Sequence, residues 1–349
     1  MFAAKKQYIL LLLTTWLVII TSCGDENTDL YKNYAPKIKL LEAESNIVEP
    51  ESKLTIHLET YDIENDPMLF HWSSTGGTIQ GDGNGATWIA PQEERRFQIN
   101  VNVSDGNKST DGSLIIQVWK TRLGDYYPLS VGNIWTYGDI NNKKNKIVFE
   151  IIDKIQIQVE KNHTVPSYVL SKYDPNLPEY DPDLDDPANP DQKWRIHNFS
   201  YLGRNIDDNR KPIEILQYAQ NVTSGTEDTI MFVPFLSLYR FPLIPGNRWQ
   251  QSFQAKLTPE LFPIGGGLDE FEVISEENLT VPVGTFHSVF QVQESFSWKL
   301  FNQDLDQTIV QKWLAPDVGL VKFTQIQTRG ETTVEVNFEL ESFELIGFN

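Results

Sequence analysis

Pro128-Leu129-Ser130-Val131-Gly132-Asn133-Ile134-Trp135 shares its frame with Pro242-Leu243-Ile244-Pro245-Gly246-Asn247-Arg248-Trp249. The common form is P-L-x-x-G-N-x-W, and an aromatic residue, Tyr127 or Phe241, precedes each copy. Proline fixes φ, and Gly-Asn suits a tight turn with φ above zero, so each copy reads as a turn that launches a strand. The leucine before the turn and the tryptophan after it would cap one end of an apolar core. The frame describes architecture and names no chemistry.

Thr164-Val165-Pro166 lies 36 residues after Pro128, and Thr280-Val281-Pro282 lies 38 after Pro242. That spacing hints at an internal duplication, and two similar hairpin starts would account for it as well. The surrounding stretch, 125–349, alternates with a period of two. Ile155, Ile157 and Val159 alternate with Gln156 and Gln158, and Phe271 and Val273 with Glu270 and Glu272. No run of a dozen residues carries a helical stripe; Pro259-Glu260-Leu261 has room for one helical turn. Near the end, Val334, Val336, Phe338 and Leu340 hold even positions, and Phe343 and Leu345 hold odd ones. A one-residue slip swaps the buried face, which predicts a bulge at Glu341–Ser342.

Residues 37–120 read as a smaller all-β domain. Leu54, Ile56 and Leu58, then Phe97, Ile99, Val101 and Val103, then Leu114, Ile116 and Val118 form three alternating sets separated by turn clusters. Strands at that spacing predict a sandwich. The stretches Asp62-Ile63-Glu64-Asn65-Asp66-Pro67, Phe70-His71-Trp72, Thr87-Trp88-Ile89-Ala90-Pro91 and Val103-Ser104-Asp105-Gly106 resemble immunoglobulin-like and PKD-type modules of bacterial surfaces. The resemblance makes Trp72 the tryptophan between the sheets. The fold class expected for the whole chain is all-β: an immunoglobulin-like sandwich followed by a larger curved antiparallel sheet or partial barrel.

The chain opens with Lys5 and Lys6, an apolar run from Tyr8 to Ile20, and Ile20-Thr21-Ser22-Cys23-Gly24. A basic start and a short apolar core describe a secretory leader, too short to span a bilayer as a helix. The residues before Gly24 resemble a bacterial lipobox. That resemblance implies lipidation of Cys23, removal of residues 1–22 and a polar acidic tether over 23–36, with the cell envelope, and the outer membrane in particular, as the address. Cys23 is the sole cysteine, which excludes an intrachain disulfide. Loss of Lys5 and Lys6 with the leader takes the formal charge from −19 to −21. So acidic a body excludes charge-driven binding to nucleic acid and to anionic lipid.

The second domain resembles a family of bacterial envelope lipoproteins through its two G-N-x-W turns, Val281-Pro282-Val283-Gly284-Thr285-Phe286, and Trp313-Leu314-Ala315-Pro316-Asp317-Val318-Gly319. The resemblance implies a strongly curved sheet whose concave face can hold apolar ligand. An acidic, proline-rich loop at 174–191 departs from it.

Candidate site residues are few. Asp62, Glu64, Asp66 and Asp105 in the first domain, and Asp181, Asp183 and Asp185 in the acidic loop, offer hard oxygens to calcium. The plain alternative is that Asp and Asn are good turn residues. Trp194, Arg195 and His197 follow the acidic loop and would form a ligand rim, the alternative being a core tryptophan. No H-E-x-x-H, G-x-S-x-G or catalytic thiol is present, so no catalytic residues are named and no cofactor other than calcium is expected. The sequence therefore points to a non-enzymatic, lipid-anchored binding or scaffold protein, with glycan or protein as partner. A carrier of lipid or another amphiphile is the second reading, and an enzyme the third.

Overall fold

The computed structural model describes residues 32–120, 122, 124–160, 163–179, 193, 195–208, 211–221, 229–301, 303–304, 307–329 and 332–346. They fall into two compact units divided after Thr121. Every regular element described is a strand. No helix among the described residues is long and apolar enough to cross a membrane.

The first unit is a sandwich of two four-stranded sheets. One runs β1 (Lys37–Ala43), β3 (Lys53–Tyr61), β6 (Gly85–Ile89), β5 (Thr78–Asp82); the other runs β2 (Ile47–Val48), β8 (Ser109–Val118), β7 (Arg96–Ser104), β4 (Leu69–Ser74). This is the strand order of immunoglobulin-type sandwiches, with β2 added parallel to β8. The alternation works as expected: Leu54, Ile56 and Leu58 of β3 meet Phe97, Ile99, Val101 and Val103 of β7 in one core. Trp72 lies in it on β4, and Trp88 lies deeper, its indole donating to the Gly76 carbonyl at 2.9 Å.

The second unit is a single sheet closed on itself. Its strands are β9 (Ile134–Asp139), β10 (Lys146–Glu160), β11 (His163–Tyr173), β12 (Asn198–Ile206), β13 (Pro212–Asn221), β14 (Thr229–Arg240), β15 (Arg248–Leu257), β16 (Phe262–Val281), β17 (Gly284–Leu300), β18 (Gln303–Asp304), β19 (Gln307–Ala315), β20 (Gly319–Arg329) and β21 (Thr332–Glu344). Each long strand pairs antiparallel with the next, and β21 returns to pair with β9. Twelve strands form the ring, and β18 is a short addition to β17. The curved sheet therefore goes past a partial barrel to full closure, which removes both edges. Its outer wall carries ion pairs such as Lys322–Glu339 at 3.0 Å and Arg248–Glu272 at 2.6 Å. Tyr137, Phe149 and Phe323 pack together inside. That is the reverse of a barrel facing lipid.

The two G-N-x-W turns make the same hydrogen bonds. Gly132 (φ 93°) donates to Ile151 O, Ile151 donates back to Asn133 O, and Asn133 donates to Ser130 O. Gly246 (φ 85°) does the same with Val273, Asn247 and Ile244. Both turns enter the strand before a long hairpin, β10–β11 or β16–β17. Trp135 of β9 donates to Val318 O at 2.7 Å, and Trp249 of β15 to Ser237 O at 2.8 Å, so each indole bonds into the other six-strand half. This equivalence supports the duplication. The Thr-Val-Pro pair does not, because Thr164 follows its hairpin turn and Thr280 precedes its own. The expected bulge is present: pairing of β21 with β9 skips between Leu340 and Ser342. Pro259-Glu260-Leu261 forms a plain turn, with Leu261 at φ 57°.

Asn133 is fully buried; its side chain donates to Pro128 O at 3.1 Å and accepts from Ile346 N at 2.7 Å. It ties the entry of the first ring strand to the end of the last. Asn133→Ala is expected to cost roughly 2 kcal/mol, because it leaves two backbone groups without partners. The readout is the urea midpoint of the second unit at unchanged slope. A loss under about 0.5 kcal/mol would mean that water replaces the side chain.

Candidate functional site

A ring of twelve strands is wider than side chains from one wall can fill. Here the walls meet through aromatic and long polar side chains. The lead-in before β9 also enters: Tyr127 packs on Tyr239 at 5.1 Å between ring centroids, and Tyr126 on Phe290 at 5.2 Å. Arg204 holds this lead-in through Asp125 at 2.9 Å and the Tyr127 carbonyl at 2.5 Å. The gap left among Tyr127, Trp135, Tyr137, Phe149, Leu170 and their neighbours is about 10 Å³, roughly the space of one water molecule.

A diagonal of polar side chains crosses this interior. Gln251 of β15 lies opposite Asp269 of β16, which is followed by Glu294 of β17 and Lys312 of β19. Lys312 and Glu294 form an ion pair, and the Lys312 ammonium lies 5.7 Å from the centre of the Tyr239 ring on the far wall. Burial pulls the Lys312 ammonium down, but the Glu294 carboxylate beside it outweighs that and holds its pKa above the ordinary value. Asp269 is fully buried beside Gln251, and among the described residues neither of its oxygens nor the Gln251 Nε2 reaches a partner with hydrogen-bond geometry. The Trp249–Phe271 stack lies on one side of it along the strands, and the Phe253–Phe296 stack on the other. Burial, reinforced by the Glu294 charge, pushes the Asp269 carboxyl up to about 9. At neutral pH it is a neutral acid.

A second feature lies at the side of the ring. A pocket of about 250 Å³ is bounded by Ile155 and Ile157 of the β10 arm, Tyr201, Ala219, Met231, and the turn Thr258–Leu261. Val159, Ala219 and Met231 form a small buried cluster beside it, with Val165, Val233 and Phe235 packed around. Gln158, Thr229 and Thr258 bring polar groups to its lining.

The residues named from the sequence are placed as follows. Arg195 donates to the carbonyls of Leu177 (3.0 Å) and Pro175 (3.2 Å), pairs with Glu179, and lies over the Tyr173 ring. His197 bonds Ser171 at 2.8 Å and packs against Tyr173 and Phe199. Both brace the base of the acidic loop. Trp194, Asp181, Asp183, Asp185 and Cys23 lie outside the described residues. Asp62 accepts from the amides of Glu64 and Asp66 through one oxygen, and its other oxygen is buried without a partner among the described residues. Asp105 accepts from Asn107 and Lys108 N and from Asn33 Nδ2. Among the described residues no three His, Cys, Asp or Glu side chains group to hold a metal. His57 and His71 are exposed.

Asp269 and Lys312 were missed among the sequence candidates, although parity marks both. Asp269 shares the register of Phe271 and Val273, and Lys312 that of Val310 and Leu314. The sequence matches no protein-family model, and no curated protein is similar to it. Among solved structures, a protein assigned as a lipoprotein from Parabacteroides distasonis is 13% identical and covers 64% of this chain and 100% of its own, at TM-score 0.33. An exported protein with a YmcC-like fold from Bacteroides fragilis is 12% identical over the same shares, at TM-score 0.26. A quinonprotein alcohol dehydrogenase-like protein from Bacteroides thetaiotaomicron is 8% identical and covers 89% of this chain and 100% of its own, at TM-score 0.21. At these scores the likeness carries no functional argument.

The buried acid makes a pH prediction. Native Asp269 titrates near 9 and an unfolded aspartate near 4, so between those values the native state holds the extra proton. Its stability is therefore full below about pH 4 and falls as pH rises toward 9. Asp269→Asn should flatten the fall in melting stability between pH 6 and 9 by roughly 1 kcal/mol per pH unit where the acid titrates. Parallel wild-type and variant pH profiles would show that Asp269 ionises freely in the native state.

Proposed function

We propose that this is a lipid-anchored, non-enzymatic binding protein of the bacterial envelope whose second unit takes the apolar part of an amphiphile. The observation that carries the reading is the 250 Å³ side pocket, with its aliphatic walls of Ile155, Ile157, Ala219, Met231 and Leu261 and its polar Gln158, Thr229 and Thr258. Ligand pockets of this kind are mostly apolar, with a few polar groups that fix orientation. The leader and Cys23 supply the anchor, and the outer membrane is the proposed address. The first unit, as a PKD-type module, follows the anchor in the chain and precedes the ring.

A glycan-binding reading has its own observation. On the β7–β8 face, Gln98, Asn100, Asp111 and Ser113 border an open hollow of about 370 Å³. Asn102 bonds Asp111 there at 2.7 Å. Amide and hydroxyl side chains on a rigid sheet suit a polyhydroxylated partner.

The first test uses the mature chain from residue 23, with Cys23→Ser to keep it free of its own lipid, recovered from a bacterial envelope. Native mass spectrometry should find a co-purifying mass of several hundred daltons that extracts into organic solvent. Gln158→Trp, which sets an indole at the pocket, should abolish it. A bare protein mass would remove the amphiphile reading and leave the glycan face. Separately, the unaltered chain should fractionate with membranes, and Cys23→Ser should release it; an unchanged distribution would remove the anchor.

A further inference from the structure

The side pocket is graded from floor to mouth. Ala219 and Met231 are each 2% exposed, whereas Tyr201, Thr229 and Thr258 are half-buried and Gln158 is exposed. An amphiphile therefore enters tail first and leaves its head among the four polar side chains. At about 30 Å³ for each water-sized group, a volume of about 250 Å³ holds roughly eight of them. That is the size of one short hydrocarbon chain.

None of the described residues that line the pocket is charged, although 22% of the chain is. The neighbouring charges stand off it. Lys154 lies over the Tyr168 ring at 4.9 Å, and Glu160 and Glu260 are exposed. Lys256 is opposite Met231 across β14 and β15, outside the lining. A charged head would lose water here without gaining a counter-ion. The acidic body disfavours an anion further.

The hydrogen-bonding roles agree with this. Thr258 Oγ1 donates to the Thr229 carbonyl at 3.2 Å, so the 2.6 Å bond between the two hydroxyls is donated by Thr229. Thr229 Oγ1 is then left only as an acceptor. Burial raises the Tyr201 pKa, so this phenol keeps its proton and can donate. The Gln158 amide can do either. Among the described residues, neither Tyr201 nor Gln158 is hydrogen-bonded through its side chain. A carboxylate only accepts and an ammonium only donates, whereas a hydroxyl does both.

We propose that this pocket selects an uncharged, hydroxyl-headed amphiphile with one short chain, of the fatty-alcohol class, over fatty acids and amines. The inference rests on the amphiphile reading of the same pocket and adds the head-group chemistry.

Titration calorimetry on the mature Cys23→Ser chain at neutral pH tests this with three probes of one chain length. These are 1-octanol, anionic octanoate and cationic octylamine. Octanol should bind at least tenfold more tightly than either ion. Gln158→Trp should abolish octanol binding, which assigns it to this pocket. Gln158→Leu and Tyr201→Phe, singly and together, should weaken octanol about threefold or more, with circular dichroism melts showing that each variant folds. Lys256→Met should leave octanol unchanged. An ion as tight as octanol, or octanol binding unmoved in the Gln158 and Tyr201 variants, would overturn the head-group inference and leave the amphiphile reading standing. Octanoate binding that is lost in Lys256→Met would assign the head to Lys256 and overturn it equally. No binding of any of the three probes would remove the amphiphile reading itself.

Discussion

The structure depends on the pairing of β9 with β21. Every other pairing around the ring joins strands that follow one another in the chain, most of them through short hairpins and β11–β12 across the acidic loop. This one joins residues about two hundred apart, Trp135 with Phe343 and Tyr137 with Leu340. Without it the sheet would have two long edges with unpaired amides. The residues around the seam are arranged to hold it. Asn133 grips Ile346, the Glu341 bulge re-aims the last strand, and Tyr137 donates to the Leu320 carbonyl of β20.

Closure sets the second constraint, the filling of a wide ring. Large rings enclose a lumen unless side chains from opposite walls meet. Here they meet through the tyrosines at 127, 137 and 239 and through phenylalanines on several strands. Long polar residues complete the filling where no aromatic reaches. Lysine stems cover apolar surface while their ammoniums rest on rings. The cost is a set of buried polar groups that are only partly satisfied, Asp269 foremost among them. Buried groups of this kind call for a physical account, whether a retained proton, an ordered water or a ligand. Asp269 is accounted for by a retained proton.

Much of this was legible in the residues. Period-two alternation at Leu54–Leu58 and Phe97–Val103 gave strands with the correct buried face, because strand side chains alternate wherever one face is covered. The parity switch after Leu340 located the bulge. Gly132 and Gly246 have positive φ, as their Gly-Asn turns require. The Thr-Val-Pro pair misled, since spacing alone does not say on which side of a hairpin a residue lies. Arg195 and His197 were expected at a ligand rim because they follow an acidic loop. Their partners, Leu177, Glu179 and Ser171, are up to 26 residues away, which spacing alone could not show.

The sequence by itself determined the all-β class, the division into two units, the turns and the facing of each strand, because those follow from local sterics and a two-residue period. Tertiary structure alone decided that the second sheet closes, and which side chains meet across it. Closure depends on accumulated twist and on a contact between distant chain segments, and neither leaves a local signature. The same holds for Lys312 and Asp269. Parity places each on the inner face, but strand register and closure decide whether a charge finds a partner there, as Lys312 does in Glu294 of the neighbouring strand.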